Sequence, residues 1–140
     1  MAKILFVDDE LGQREAVGEI LSTQGHEVTI AETYEKAMGL LEQQDFDLVI
    51  TDYQLWNNTG LDIARWVHDN KQGTPIILRT GNDNIGSIVD KSNTREIFTQ
   101  IISKCVNSLL LIRAVNNALG LKSGMAIRDR SGVGGVIGLG

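Results

Sequence analysis

Runs of four to six apolar residues alternate along the chain with stretches whose apolar positions recur every three or four residues, and the alternation continues to about residue 120. "KILFV" (3–7) predicts a strand, and "LGQREAVGEILSTQ" (11–24) a helix carrying Val17, Ile20 and Leu21 on one face. "HEVTI" (26–30) predicts a second strand. "TYEKAMGLLEQQ" (33–44) sets Tyr34, Ala37, Met38 and Leu41 at helical spacing behind Thr33, a residue suited to cap a helix N-terminus. "DLVIT" (47–51) and "PIILRT" (75–80) are near-continuous apolar runs, the pattern of parallel strands buried on both faces. Between them the pattern predicts a helix over 61–71, with Gly73, Thr74 and Pro75 turning the chain back. A weaker helix over 85–91, a strand "IFTQIIS" (97–103) and a last helix "CVNSLLLIRAVNNALGL" (105–121) complete the series. Five β–α units with short connections predict a doubly wound α/β fold with a parallel sheet and helices on both faces.

That architecture sorts the chemistry, because open parallel sheets bind ligands beyond the carboxyl ends of their strands. Strand one ends in Asp8 and Asp9, strand three in Asp52, strand four in Thr80 and strand five in Lys104. Three carboxylates, a hydroxyl and an amine therefore meet at one edge. Asp8, Asp9 and Asp52 make a hard oxygen site suited to Mg²⁺, which relieves their mutual repulsion and keeps water positions free for phosphate oxygens. A carboxylate held there can attack phosphorus if the equatorial oxygens are neutralised, and Lys104 and Thr80 are placed to help. Glu10 is expected only to favour the N-terminus of the following helix.

The remaining composition narrows the setting. The formal net charge of -5 argues against unaided binding of nucleic acid, whose phosphates are met by clustered Lys and Arg. One cysteine, Cys105, excludes an intramolecular disulfide. The start of the chain has no secretory-signal pattern and no run approaches the ~18 apolar residues of a membrane span, so a soluble, cytoplasmic protein without membrane contact is expected. Residues 1–121 read as one domain, and the glycine-rich 122–140 as a tail or linker.

"ILFVDDE", "LVITDYQLWNNTG", "IILRTG" and "IISK" resemble the motifs of bacterial response-regulator receiver domains, over about residues 3 to 120 and at the family's intervals. The resemblance implies a flavodoxin-like strand order 2-1-3-4-5. It implies Asp52 as phosphoacceptor, and Asp9 and Asp52 as direct Mg²⁺ ligands together with the Gln54 backbone carbonyl. Asp8 would act through water, and Thr80 and Lys104 would bind the phosphoryl oxygens. The implied donor is a phosphohistidine on a sensor histidine kinase or phosphotransfer protein, and the implied recipient of the signal is a downstream effector protein.

The chain also departs from the family. Cys105 follows Lys104 where a proline across a cis bond is usual, so the loop is either cis and strained or trans and relaxed; Cys105 itself reads as a small buried residue. Ile101 replaces an aromatic ring that in relatives turns inward with the threonine, leaving aliphatic repacking to carry any coupling. Trp56 stands near the site as packing and a spectroscopic reporter, while His26 and His68 read as structural or exposed. The last helix is apolar beyond a single stripe, which leaves a second face for the glycine-rich tail or for a homodimer. Two other functions compete: a pseudo-receiver, or the amino-terminal piece of a larger regulator, acting by protein contact, and a phosphatase of the aspartate-nucleophile type. The phosphatase would need an acid two residues after the nucleophile, where this chain has Gln54.

Overall fold

A computed structural model describes residues 2–123. In chain order the elements are β1 (Lys3–Val7), α1 (Leu11–Thr23), β2 (Glu27–Ala31), α2 (Tyr34–Gln43), β3 (Leu48–Asp52), the short pair β4 (Gln54–Leu55) and β5 (Asn58–Thr59), and α3 (Gly60–Asn70). There follow β6 (Ile76–Thr80), α4 (Ile85–Lys91), a 3-10 turn (Arg95–Ile97), β7 (Gln100–Ser103) and α5 (Ser108–Ser123). Strands β2, β1, β3, β6 and β7 lie side by side in that order, all parallel. This is the expected 2-1-3-4-5 order, with the β4–β5 hairpin as an addition.

The two apolar runs do lie at the centre, since every residue of β3 and β6 is buried. Side chains alternate across the sheet and build two cores. Leu5, Val7, Val49 and Leu78 pack under α2 and α3, whereas Ile4, Phe6, Ile50 and Ile77 pack under α1 and α5. Helix α2 starts where the sequence places it, with the Thr33 side chain accepting from the Lys36 N–H at 3.1 Å. The chain reverses after α1 and α3 at Gly25 and Gly73, whose φ values of 87° and 88° are open to glycine at no steric cost.

Three expectations shift. The segment 97–103 is not all strand: Phe98 N–H bonds back to Arg95 O at 3.2 Å in a tight turn that buries the Phe98 ring, and pairing starts only at Gln100. The apolar run there marks burial rather than extension. Helix α5 begins at Ser108 rather than 105, because the Asn107 carboxamide accepts from Leu110 N–H at 3.0 Å and caps it. Cys105 is exposed, not buried; its N–H is held by Ser103 Oγ at 3.0 Å in a turn beyond the edge strand. No cis peptide bond occurs among the described residues, so the Lys104–Cys105 bond is trans. The glycine-rich segment expected over 122–140 lies, from residue 124 on, outside the described residues.

Candidate functional site

Alternation along three neighbouring strands delivers the site. Phe6, Ile50 and Ile77 fill the core beneath α1 and α5, and the residues two further on are Asp8, Asp52 and Arg79. All three are buried at the carboxyl edge of the sheet, Asp8 completely and Asp52 and Arg79 with 5% and 6% exposure. Thr80, one residue on, is buried and belongs to the opposite face.

Lys104 reaches in from the end of β7. Its backbone N–H donates to Thr80 O at 3.0 Å, which fixes the loop to β6. Its ammonium lies 2.7 Å from Glu10 Oε1, 3.0 Å from Asp52 Oδ2 and 3.1 Å from Asp8 Oδ2. Burial works against the charged ammonium, but the hydrogen bonds to Glu10 and Asp52 and the field of Asp8 outweigh it and hold Lys104 above its ordinary value. The hydrogen bond from Lys104 likewise keeps the Glu10 carboxyl low. Asp52 goes the other way: its burial outweighs Lys104 and raises the carboxyl.

The remaining contacts set the shape. Asp8 Oδ1 accepts from Glu10 N–H at 2.9 Å, which turns the chain into α1. Thr80 Oγ1 accepts from Asn82 N–H at 3.0 Å. Gly60 N–H donates to Tyr53 O at 2.7 Å, closing the β4–β5 excursion back under Asp52. Asp9, Gln54, Tyr53, Gly81 and Asn82 join Glu10, Asp52, Thr80 and Lys104 around a cavity of about 480 Å³.

Oxygens of Asp8, Glu10 and Asp52 lie within 4.8 Å of one another. Among the described residues, buried Asp8 Oδ2 accepts no hydrogen bond in spite of the nearby ammonium. Hard carboxylate donors, closely spaced, with one buried oxygen that is ion-paired but takes no hydrogen bond, fit a Mg²⁺-sized cation. Asp9 and Gln54 line the cavity but are exposed, and Asp9 is not one of the three grouped carboxylates. Glu10 does more than favour a helix terminus, because it is the N-cap residue of α1 without a side-chain cap bond and spends its carboxylate on Lys104.

Arg79 was not singled out by sequence reasoning, although a signal exists. An arginine next to the end of "PIILRT", a run that must be buried, demands an acidic neighbour, and period-two alternation places it on the face of Asp52. The two are register partners on adjacent strands. The Arg79 Nη1 lies 3.8 Å from Asp8 Oδ2, while its Nε and Nη1 make no hydrogen bond among the described residues. Other expected residues fall away from the site. Trp56 is 73% exposed at the tip of the hairpin, and Ile101 is half-buried against the core. His26 accepts from Ala2 N–H at 3.3 Å, and His68 is exposed in the last turn of α3.

Comparison with known proteins agrees with this geometry. Residues 4–116 match the family model for the response regulator receiver domain. The transcriptional regulatory protein GlrR of Escherichia coli K12 is 27% identical over 118 residues, which are 84% of this chain but 26% of GlrR. The chain thus spans about a quarter of that relative. Among solved structures, the response regulator TrrA of Thermotoga maritima in complex with Mg²⁺-BeF aligns with a TM-score of 0.76 at 29% identity, covering 84% of this chain and 99% of that one. A CheY-like receiver domain protein of Methanospirillum hungatei aligns at 0.81 and 26%, covering 89% and 98%.

Proposed function

The chain belongs to the response regulator receiver domain family, and from that premise we propose that it is a phosphorylation-dependent switch with Asp52 as the phosphoacceptor. The observation that carries this reading is the pairing of a buried Asp52 with Lys104 at 3.0 Å, inside a group of carboxylates at the sheet's carboxyl edge. A Asp52 carboxylate oxygen attacks the phosphorus of a phosphohistidine on a sensor kinase or phosphotransfer protein. The O–P bond forms, the N–P bond breaks, and the electron pair leaves on the imidazole, which takes up a proton.

Asp8, Asp9 and Asp52, with the Gln54 carbonyl, would hold Mg²⁺, which supplies charge neutralisation at the transferring group. The TrrA complex with Mg²⁺-BeF supports that choice of ion. Lys104 exchanges its carboxylate partner for a phosphoryl oxygen, and the Thr80 hydroxyl, now an acceptor from Asn82 N–H, donates to another. The added charge draws Thr80 and the tied β6 and β7 ends toward Asp52. Ile101, packed against the core beside β6, carries the shift by aliphatic repacking to a surface that binds an effector protein. Residues 122–140 would then serve as a tail or linker.

Full chain is incubated with Mg²⁺ and acetyl phosphate, followed by intact mass, and with beryllofluoride, followed by tryptophan fluorescence. One phosphoryl group gained, together with a saturable Mg²⁺-dependent optical change, both lost in Asp52→Asn, is the expected result. Phosphoryl uptake that persists in Asp52→Asn, or none in the native chain, refutes the assignment.

A further inference from the structure

Arg79 has no part in the chemistry proposed above, yet it is a full charge carried into the core of the molecule. It is 6% exposed, on a central strand whose five residues are all buried. A guanidinium stays protonated under all ordinary conditions, so its burial has to be offset by nearby negative charge. That charge is the acidic group itself: Asp8 Oδ2 lies 3.8 Å from Nη1, and Asp52 is its register partner. Two of its nitrogens remain without hydrogen bonds among the described residues, as does Asp8 Oδ2. The guanidinium is held by field rather than by directed bonds.

We propose that Arg79 is a resident counter-ion that competes with the divalent cation for Asp8 and so sets how weakly the site holds magnesium. The inference rests on the metal-site reading given under Proposed function and adds a specificity-determining residue to it. Without Arg79, the carboxylates of Asp8, Asp9, Glu10 and Asp52 facing Lys104 carry three excess negative charges to attract a cation. With Arg79 two remain, and an entering cation meets a fixed positive neighbour in a buried setting, where like charges repel strongly. Arg79 also keeps Asp8 compensated when no metal is bound, so the pocket stays formed between signalling events.

The test is calorimetric titration of the full chain with magnesium chloride, comparing the native protein with Arg79→Met, Arg79→Gln and Arg79→Lys. Removing the charge is expected to tighten magnesium binding at least tenfold, about 1.4 kcal/mol. Arg79→Lys is expected to stay within about threefold of the native value, because the charge is kept. In the native chain, the Arg79 Nε–H resonance, identified by its loss in Arg79→Lys, is expected to move across the same titration. This readout does not depend on either neutral variant folding.

Equal affinity in native and neutral variants, or a resonance that stays still while magnesium binds, overturns the role of Arg79 and leaves the phosphoacceptor reading intact. Folded proteins that take up no magnesium in any form overturn both.

Discussion

Gly60 is where the site is most exposed to a single methyl group. It opens α3 directly after the hairpin, and a Cβ there would overlap the Asp52 backbone carbonyl oxygen and sit 3.0 Å from both Cγ2 and Oγ1 of Thr51. Carbon meets a carbonyl oxygen at about 3.3 Å or more, so the backbone on one side has to move by roughly 1 Å. Neither side can yield freely. Thr51 is paired on both sides of a central strand and Asp52 on one, and the Gly60 N–H is fixed to Tyr53 O. Overpacking of this kind costs about 1–3 kcal/mol, against about 0.4–1 kcal/mol regained from the stiffer unfolded chain. Gly60→Ala should therefore lose about 1–2 kcal/mol, or roughly 3–12 °C in Tm for a domain of this size. The displaced carbonyl belongs to Asp52, so beryllofluoride binding should weaken by about tenfold or more. Gly39→Ala is the control: nothing lies within 4 Å of the added methyl, and its place inside α2 predicts a gain of about 0.5–1 kcal/mol. Differential scanning fluorimetry and a beryllofluoride titration of both variants decide the matter. A Gly60→Ala protein that melts with the native one, or above it as Gly39→Ala should, refutes the steric argument.

Other consequences follow from the charges and the surface. Lys104→Met leaves Asp8 and Asp52 buried beside each other with only Arg79 nearby, so urea unfolding without metal should show a loss of about 2–4 kcal/mol, partly recovered by magnesium. Asp52 has its carboxyl raised above the ordinary 3.8 by burial, so its charged form opposes folding above the raised value and the opposition disappears as pH falls through it. Asp52→Asn should accordingly be more stable than the native chain at pH 7, with the difference shrinking toward pH 4 in chemical denaturation. Leu109 and Leu110 on α5 are 56% and 47% exposed, and changing both to Lys should shift stability by less than about 0.5 kcal/mol. If α5 mediates a homodimer, light scattering will show that double variant as a monomer where the native chain is not.

The fold was legible because burial and periodicity coincide in most elements. "DLVIT" and "PIILRT" could only be central, and Thr33 announces α2 by its cap. Legibility fails where an apolar residue is buried by a turn, as at Phe98, since hydrophobicity reports burial and not backbone conformation. It fails again at Cys105, where size and type suggest the interior but the end of an edge strand offers none. Of the site, Asp8, Asp52, Thr80 and Lys104 were legible from strand ends. Glu10 was not, because its pairing depends on the length of a lysine that arrives from 94 residues away. Arg79 could have been found by asking what a charge inside a buried run requires.

The same two-residue period that fills the core also assembles the charges, and this ties stability to chemistry more closely than proximity alone. Phe6, Ile50 and Ile77 are what the strands under α1 and α5 must bury; Asp8, Asp52 and Arg79 occupy the next positions of the same rows. A slip of one residue in any of these strands would send its charged residue to the face of α2 and α3 and its apolar residues with it. Because both faces of these strands are apolar, correct pairing is enforced by the packing fit of the two rows, which acts over the whole strand, and the charged residues are carried into place. Their burial is the cost of that arrangement. It follows that replacing a charged residue at the end of a row should alter ion binding and stability without altering strand register, whereas replacing Ile50 should weaken all of them together.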